Sequence, residues 1–207
     1  IDKLESEAKF ASALKATQTL LIKLQASASS QEVVRGLIRQ TRLQTQLDAQ
    51  ETALRALVEA EWPKELRAHT ALNLYLADAF GRYLNRYNWE ISRREKVVSS
   101  EKLELKKWTK SQILDEKNHR FFRVWQHRAA LGKLNRGALF EMFVPGDFPE
   151  EIRGTLRDSV TYMWAAEISN TMTWRPKQES QIHQVNLVSL LEDAPPIVDL
   201  TDLNVHP

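Results

Sequence analysis

Five histidines, 27 carboxylates and no cysteine set the chemistry open to this 207-residue chain. A protein zinc site needs several ligands that converge on one ion, and on a helix the usual device is a His pair at i, i+4. His69, His119, His127, His183 and His206 contain no such pair. His119 and His127 stand eight apart, two turns along one helix face, too far to share an ion without other ligands. Adjacent acids occur at Asp115-Glu116, Glu150-Glu151 and Glu192-Asp193. Acid–base catalysis needs carboxylates whose surroundings push their pKa values apart, whereas neighbouring acids at helix starts answer to the helix dipole. The serines include no Gly-x-Ser-x-Gly elbow, and no glycine-rich phosphate loop is present. The missing cysteine removes disulfides, thiolate metal sites, a thiol nucleophile and a thioester built from this chain. The expectation is a protein that is not an enzyme and holds neither cofactor nor metal.

Aromatic and basic residues remain as candidates for recognition. Trp62, Trp125 and Trp164 lie on apolar stripes and are expected in the core. Trp89, Trp108 and Trp174 lie near expected loops or helix ends, where they fill gaps between helices or form a partner surface. Arg153 and Arg157 flank a helix start and oppose its dipole, while Asp158 favours it. The conflict is relieved by an acidic neighbour such as Glu150, or is used to hold another domain. Trp89, Trp108, Arg153, Arg157 and Trp174 are therefore the candidate partner or interdomain contacts.

The net charge of +2 conceals a strong asymmetry. Residues 1–81 are neutral, residues 82–136 carry 15 basic against 6 acidic side chains, and residues 137–207 carry 4 against 11. The basic middle is expected to meet the acidic end within the fold, or else an acidic partner. Over residues 82–110 basic side chains alternate with Tyr83, Tyr87, Trp89 and Trp108. Such interleaving suits nucleic acid, but Glu90, Glu95, Glu101 and Glu104 interrupt the field. Nucleic acid is not expected as a partner.

The elements that position these residues are helical by pattern. Six glycines and seven prolines leave long windows without a breaker. Phe10, Leu14, Thr17, Leu21 and Leu24 share one face of a helix expected over 2–27. Ser30 is the expected cap of a second helix over 31–47. Asp48, with Glu51 three residues on, is the expected cap of a third, whose stripe is Leu54, Leu57, Val58 and Trp62. A fourth, over 65–84, carries Leu72, Leu76, Ala79 and Tyr83 on one face, with Tyr75 and Phe80 beside it. Loop-favouring asparagines follow over 85–90, and Ser99 and Ser100 interrupt the chain again. A long helix is expected over 109–132, ended near Gly132 and Gly137. After a Pro/Gly loop at 145–149, Thr155 and Asp158 form a near capping box before a stripe of Leu156, Val160, Met163, Trp164 and Ile168. A last helix is expected over 176–191.

The fold class that follows is all-α. Antiparallel helix pairs stack in a tetratricopeptide-like superhelical (α-solenoid) array, without that family's signature residues. The helical domain is expected over 1–192 and an extended tail or linker over 193–207. No apolar run reaches the roughly 20 residues of a membrane span. The chain opens on Ile1 rather than Met, so a processed chain or a piece of a longer one is expected.

Three segments resemble one family. They are Tyr83-Leu84-Asn85-Arg86-Tyr87-Asn88-Trp89, the Lys107-Trp108-Thr109 entry to the helix ending near Trp125-Gln126-His127, and the set Pro145, Pro149, Arg153, Thr155, Leu156 and Asp158. Their order and spacing are similar to the N-terminal helical region of large bacterial alpha-2-macroglobulin-like proteins, over roughly residues 5–190. The resemblance implies a module ahead of many β-sandwich domains in a periplasmic or cell-envelope protein that traps proteases. Members that trap covalently use a cysteine–glutamine thioester, which this chain cannot form. It is then a non-catalytic scaffold or docking part. Its partners are the following domains of the same larger chain, together with proteases or envelope proteins. The alternative is a stand-alone cytoplasmic adaptor that binds a peptide or protein in a concave groove.

Overall fold

The computed structural model describes residues 1–27, 29–95, 103–139 and 154–170. Two compact units divide the chain, Ile1–Met163 and Trp164–Pro207. The loop at 145–149, the expected helix over 176–191 and the boundary at 192/193 lie outside the described residues. Within them the chain is helical, and the only bridge of β type joins Asn135 to Thr155.

The helix expected over 2–27 is two helices, α1 (Asp2–Ser6) and α2 (Phe10–Ser27). Ala8 adopts the left-handed conformation with φ 55°. Its N–H donates to Glu5 O at 3.0 Å and the Lys9 N–H to Leu4 O at 2.8 Å. This is the paired closure of a Schellman ending, normally given to glycine. Without a glycine at position 8 the break has no sequence signal. α1 is held to α3 by ion pairs: Arg39 donates to Asp2 and, at 2.5 Å, to Glu5, and Arg42 donates to Glu5 at 2.8 Å.

α3 (Ser30–Gln46) is capped by Ser29, one residue before the expected cap Ser30. Ser29 accepts from the Glu32 N–H, and the Glu32 carboxylate accepts from the Ser29 N–H at 3.2 Å, a complete capping box. α2 and α3 pack closely at Gly36, where an added Cβ would stand 2.6 Å from Leu21 Cδ2. Asp48 does not cap α4 (Gln50–Glu59). Its φ of 57° closes α3 in a second Schellman ending, with Asp48 N–H to Thr45 O at 3.2 Å and Ala49 N–H to Gln44 O at 3.0 Å. Ala49 precedes α4 with no side-chain cap, and the Asp48 carboxylate accepts from Arg86 at 2.7 Å instead.

α4 stops at Glu59, so Trp62 is not on its stripe. The chain extends at Ala60, and the indole N–H of Trp62 reaches back to Leu57 O at 2.8 Å. It thereby satisfies one of the carbonyls that a helix end leaves open. The Trp62 ring meets His69 edge-on at 5.6 Å.

α5 (Leu66–Arg86) is the centre of the fold. Its buried residues include Ala68, Leu72, Leu74, Leu76, Phe80 and Leu84, which lie on more than one face. A helix apolar on several sides needs neighbours on each. α3 and α4 lie against it, and its largest packing partner is α7 (Lys110–Trp125), through Ile113, Leu114, Phe121 and Val124. The expected loop at 85–90 is instead the last turn of α5 followed by α6 (Asn88–Ile91). The helix expected over 109–132 is divided near His127 into α7 and α8 (Arg128–Leu131). A 3-10 turn at Arg136–Leu139 follows, and then α9 (Leu156–Ile168).

Candidate interaction surface

Local sequence explains where this surface begins. Tyr87 ends α5 with non-helical backbone, and α6 restarts the chain for a single turn. Only Ile91 of α6 is buried, so the remaining side chains face outward. Trp89 is 70% exposed, the most exposed tryptophan among the described residues, and Arg93 lies 3.7 Å above its ring. Two further arginine–aromatic contacts precede it along the same stretch: Arg82 with Tyr75 at 5.5 Å and Arg86 with Tyr87 at 5.7 Å. A flat guanidinium on a ring face gains from the ring quadrupole while its in-plane N–H groups remain available.

Arg94 holds this surface to the fold. It donates to Leu105 O at 2.6 Å, Trp108 O at 3.1 Å and the Glu90 carboxylate at 2.6 Å. Its side chain is only 11% exposed. Burial alone would pull its pKa down, but hydrogen bonding to Glu90 and Tyr83 holds it above the usual arginine value. Tyr83 answers in kind. Burial pushes its phenol pKa up, partly opposed by the Arg94 hydrogen bond. One part-buried guanidinium therefore joins α5, α6 and the turn before α7.

Trp108 stands at that turn and has the other fate proposed for a tryptophan at a helix edge. It stacks on the buried Phe80 with centroids 6.2 Å apart and planes 20° from parallel, filling space beside α5. Thr109 then starts α7. It accepts from the Gln112 N–H, while Gln112 Oε1 accepts from the Thr109 N–H at 2.9 Å. The Thr-x-x-Gln spacing of this box is a signal legible in the sequence. For Arg94 the sequence shows only the i, i+4 spacing to Glu90, because its other acceptors are carbonyls 11 and 14 residues away.

Several basic residues of the middle are paired with carboxylates. Arg82 meets Asp78, Arg86 meets Asp48 at 2.7 Å, Lys107 meets Glu104 at 2.9 Å, and the buried Arg120 meets Glu116. Burial depresses the Arg120 pKa, with Glu116 opposing that shift. Arg93 pairs with no carboxylate among the described residues. The expected attraction to the acidic end falls outside the described residues.

Around α9, Thr155 and Asp158 form the expected capping box. The Thr155 N–H donates to the Asp158 carboxylate at 3.0 Å, and Thr155 Oγ1 accepts from the Asp158 N–H at 3.3 Å. Hydrogen bonding from the Thr155 hydroxyl is the main cause of a lowered Asp158 pKa. The Leu156 N–H donates to Leu134 O at 2.8 Å, tying the start of α9 to the chain after α8. Arg157 lies 3.7 Å from Asp158 and against Gly132, where an added Cβ would stand 3.3 Å from Nη1. Arg153 and Trp174 lie outside the described residues. Leu156 and Val160 are buried as the stripe predicts, but Ile168 is 51% exposed.

His119 Nε2 accepts from Arg123 Nε at 2.9 Å, so a local hydrogen bond occupies it. Among the described residues no three His, Asp or Glu side chains converge on a metal position. No helix there is long and apolar enough to cross a membrane. No protein-family model matches the chain, and neither a curated protein nor a solved structure matches it.

Proposed function

We propose that this chain is a non-catalytic helical scaffold whose α6 surface binds another protein. One observation carries the reading. Trp89 is 70% exposed and topped by Arg93, on a turn that the part-buried Arg94 fixes in place. Tryptophan and arginine dominate the energetics of protein interfaces, and a rigid aromatic loses little entropy when it is covered. Trp108, by contrast, is engaged with Phe80 and serves the core.

The architecture assigned to the scaffold is a tetratricopeptide-like succession of helix pairs. It is supported by short turns between α2, α3 and α4 and by the large contact of α5 with α7. The larger setting is that of an alpha-2-macroglobulin-like protein of the bacterial periplasm or cell envelope. In it the following domains of the same chain, proteases or envelope proteins are the partners, and protease inhibition belongs to the whole molecule. That setting rests on the three resembling sequence segments alone.

The test is the native protein itself. An antibody against this chain is expected to detect a band several times heavier than 23.9 kDa in the envelope fraction. A cytoplasmic band of about 23.9 kDa overturns the envelope setting and brings the adaptor reading forward. For the binding surface, Trp89→Ala should reduce co-purification of the partner while the far-ultraviolet circular dichroism is unchanged. Undiminished co-purification removes α6 as the surface.

A further inference from the structure

The four arginines of residues 82–94 separate by what occupies their donors. Arg82, Arg86 and Arg94 each meet a carboxylate: Asp78, Asp48 and Glu90 respectively. Among the described residues Arg93 meets no carboxylate, and its guanidinium lies on the Trp89 ring at 3.7 Å. Stacking uses the face of a guanidinium. Its five N–H donors lie in the plane and match the two oxygens of a carboxylate or phosphate. Arg93 and Trp89 are both exposed, so this plane is open to a visitor.

Two neighbours narrow the choice between those anions. Glu90 is 60% exposed in its side chain and Glu95 is also exposed. A nucleic-acid backbone presents a continuous row of charge, and its affinity grows with the number of phosphates neutralised. Two carboxylates close in sequence to a single open arginine oppose such a row. A lone Asp or Glu flanked by apolar side chains meets less repulsion, and its apolar neighbours can lie on the indole.

We propose that Arg93 and Trp89 together form a carboxylate-recognition platform for an acidic protein segment. Arg93 presents its in-plane N–H edge to an Asp or Glu side chain, and Trp89 packs on the adjoining apolar atoms. This rests on the α6 surface being the interaction face.

The experiment is fluorescence anisotropy with the full chain in about 150 mM salt, where surface charges are screened beyond roughly 8 Å. The probes are a fluorescein-labelled peptide alternating Glu and Leu, its Gln-for-Glu counterpart, and a single-stranded thymidine oligonucleotide of equal charge. The acidic peptide is expected to bind at least about tenfold more tightly than its amide counterpart. Arg93→Ala should weaken it about tenfold, Arg93→Lys should restore only part, and Arg82→Ala, already paired with Asp78, should change it less than about twofold. Equal losses in Arg93→Ala and Arg82→Ala would mean diffuse charge attraction and overturn the platform. So would equal binding of the amide peptide, or preference for the oligonucleotide. If Trp89→Ala abolishes binding of both peptides while Arg93→Ala does nothing, carboxylate recognition fails and the α6 interaction face stands. If neither variant alters binding of any probe or of the native partner, both fail.

Discussion

Arg39 near the N-terminus and Arg94 before α7 each tie distant parts of the chain together, but through different acceptors. Arg39 holds α1 to α3 through the carboxylates of Asp2 and Glu5, and the Asp2 side chain is 93% exposed. Arg94 donates to the backbone carbonyls of Leu105 and Trp108, besides Glu90, from a side chain 11% exposed. If Arg39 lets go, water solvates the carboxylates it leaves. If Arg94 is removed, Trp108 O in a partly buried turn loses its donor and Leu105 O keeps only the Trp108 N–H at 3.3 Å, and an unmade bond there costs more than a made one contributes. Arg93, with only an indole beneath it, is a third case that closes nothing within the described fold.

The sharpest way to break this comparison is to remove the arginines in turn. Arg94→Ala should destabilise the protein by about 2–3 kcal/mol in denaturant unfolding, because it removes the donor to Trp108 O, leaves Leu105 O with the Trp108 N–H alone and loosens the packing of Trp108. A loss no greater than that of Arg39→Ala would show that the carbonyls find other donors. Thr155→Ala comes next, at about 1 kcal/mol, since it removes the capping box of α9 but leaves an exposed helix end to water.

Ala8→Gly is expected to stabilise by up to about 1 kcal/mol, because glycine adopts the left-handed φ without its Cβ penalty. No gain would mean that the unfolded-state entropy of the new glycine offsets the relief.

The N-terminal latch should respond to acid. The hydrogen bond from Arg39, then its charge, holds the Asp2 pKa below the ordinary aspartate value. A carboxyl depressed in the folded state binds fewer protons than the unfolded one, so its contribution is present above that ordinary value. It is lost as pH falls through the folded pKa. The protection of α1 amides against hydrogen exchange, taken relative to the intrinsic rate at each pH, should therefore fall at about pH 2.5 compared with pH 6, and also in high salt. The smallest expected effect on stability is that of Trp89→Ala, within about 0.5 kcal/mol, because the ring is already mostly in water. A larger loss would place Trp89 with Trp108 among the residues that close the fold.

Helical class was legible because most apolar positions recur at helical spacing, and α3, α5 and α7 fell close to where that spacing puts them. Thr155 and Asp158 were legible as a cap because a box involves residues only three apart. Ser29 was missed by one position, and Asp48 was given the wrong end of the wrong helix. Both sit in short turns, where Ser, Asp and Asn serve a helix start or a helix end equally well until the backbone torsion is known. Of the candidate contacts, Trp89, Trp108 and Arg157 can be placed. The sequence offered no ground for separating the first two, since both flank short helices in basic surroundings.

Residue type and spacing within a turn or two of helix thus fixed the all-α class, the amphipathic faces, the lack of thiol chemistry and the cap of α9. Those are properties of neighbours along the chain. The Schellman endings at Ala8 and Asp48 and the burial of α5 on several sides depended on which helix lay against which. So did the stacking of Trp108 on Phe80, the reach of Arg94 across 11 and 14 residues, and the exposure of Trp89 beneath Arg93. The packing of α5, the Trp108–Phe80 stack and the Arg94 bonds join groups well apart in sequence, and no periodicity within one helix encodes the partner it will meet.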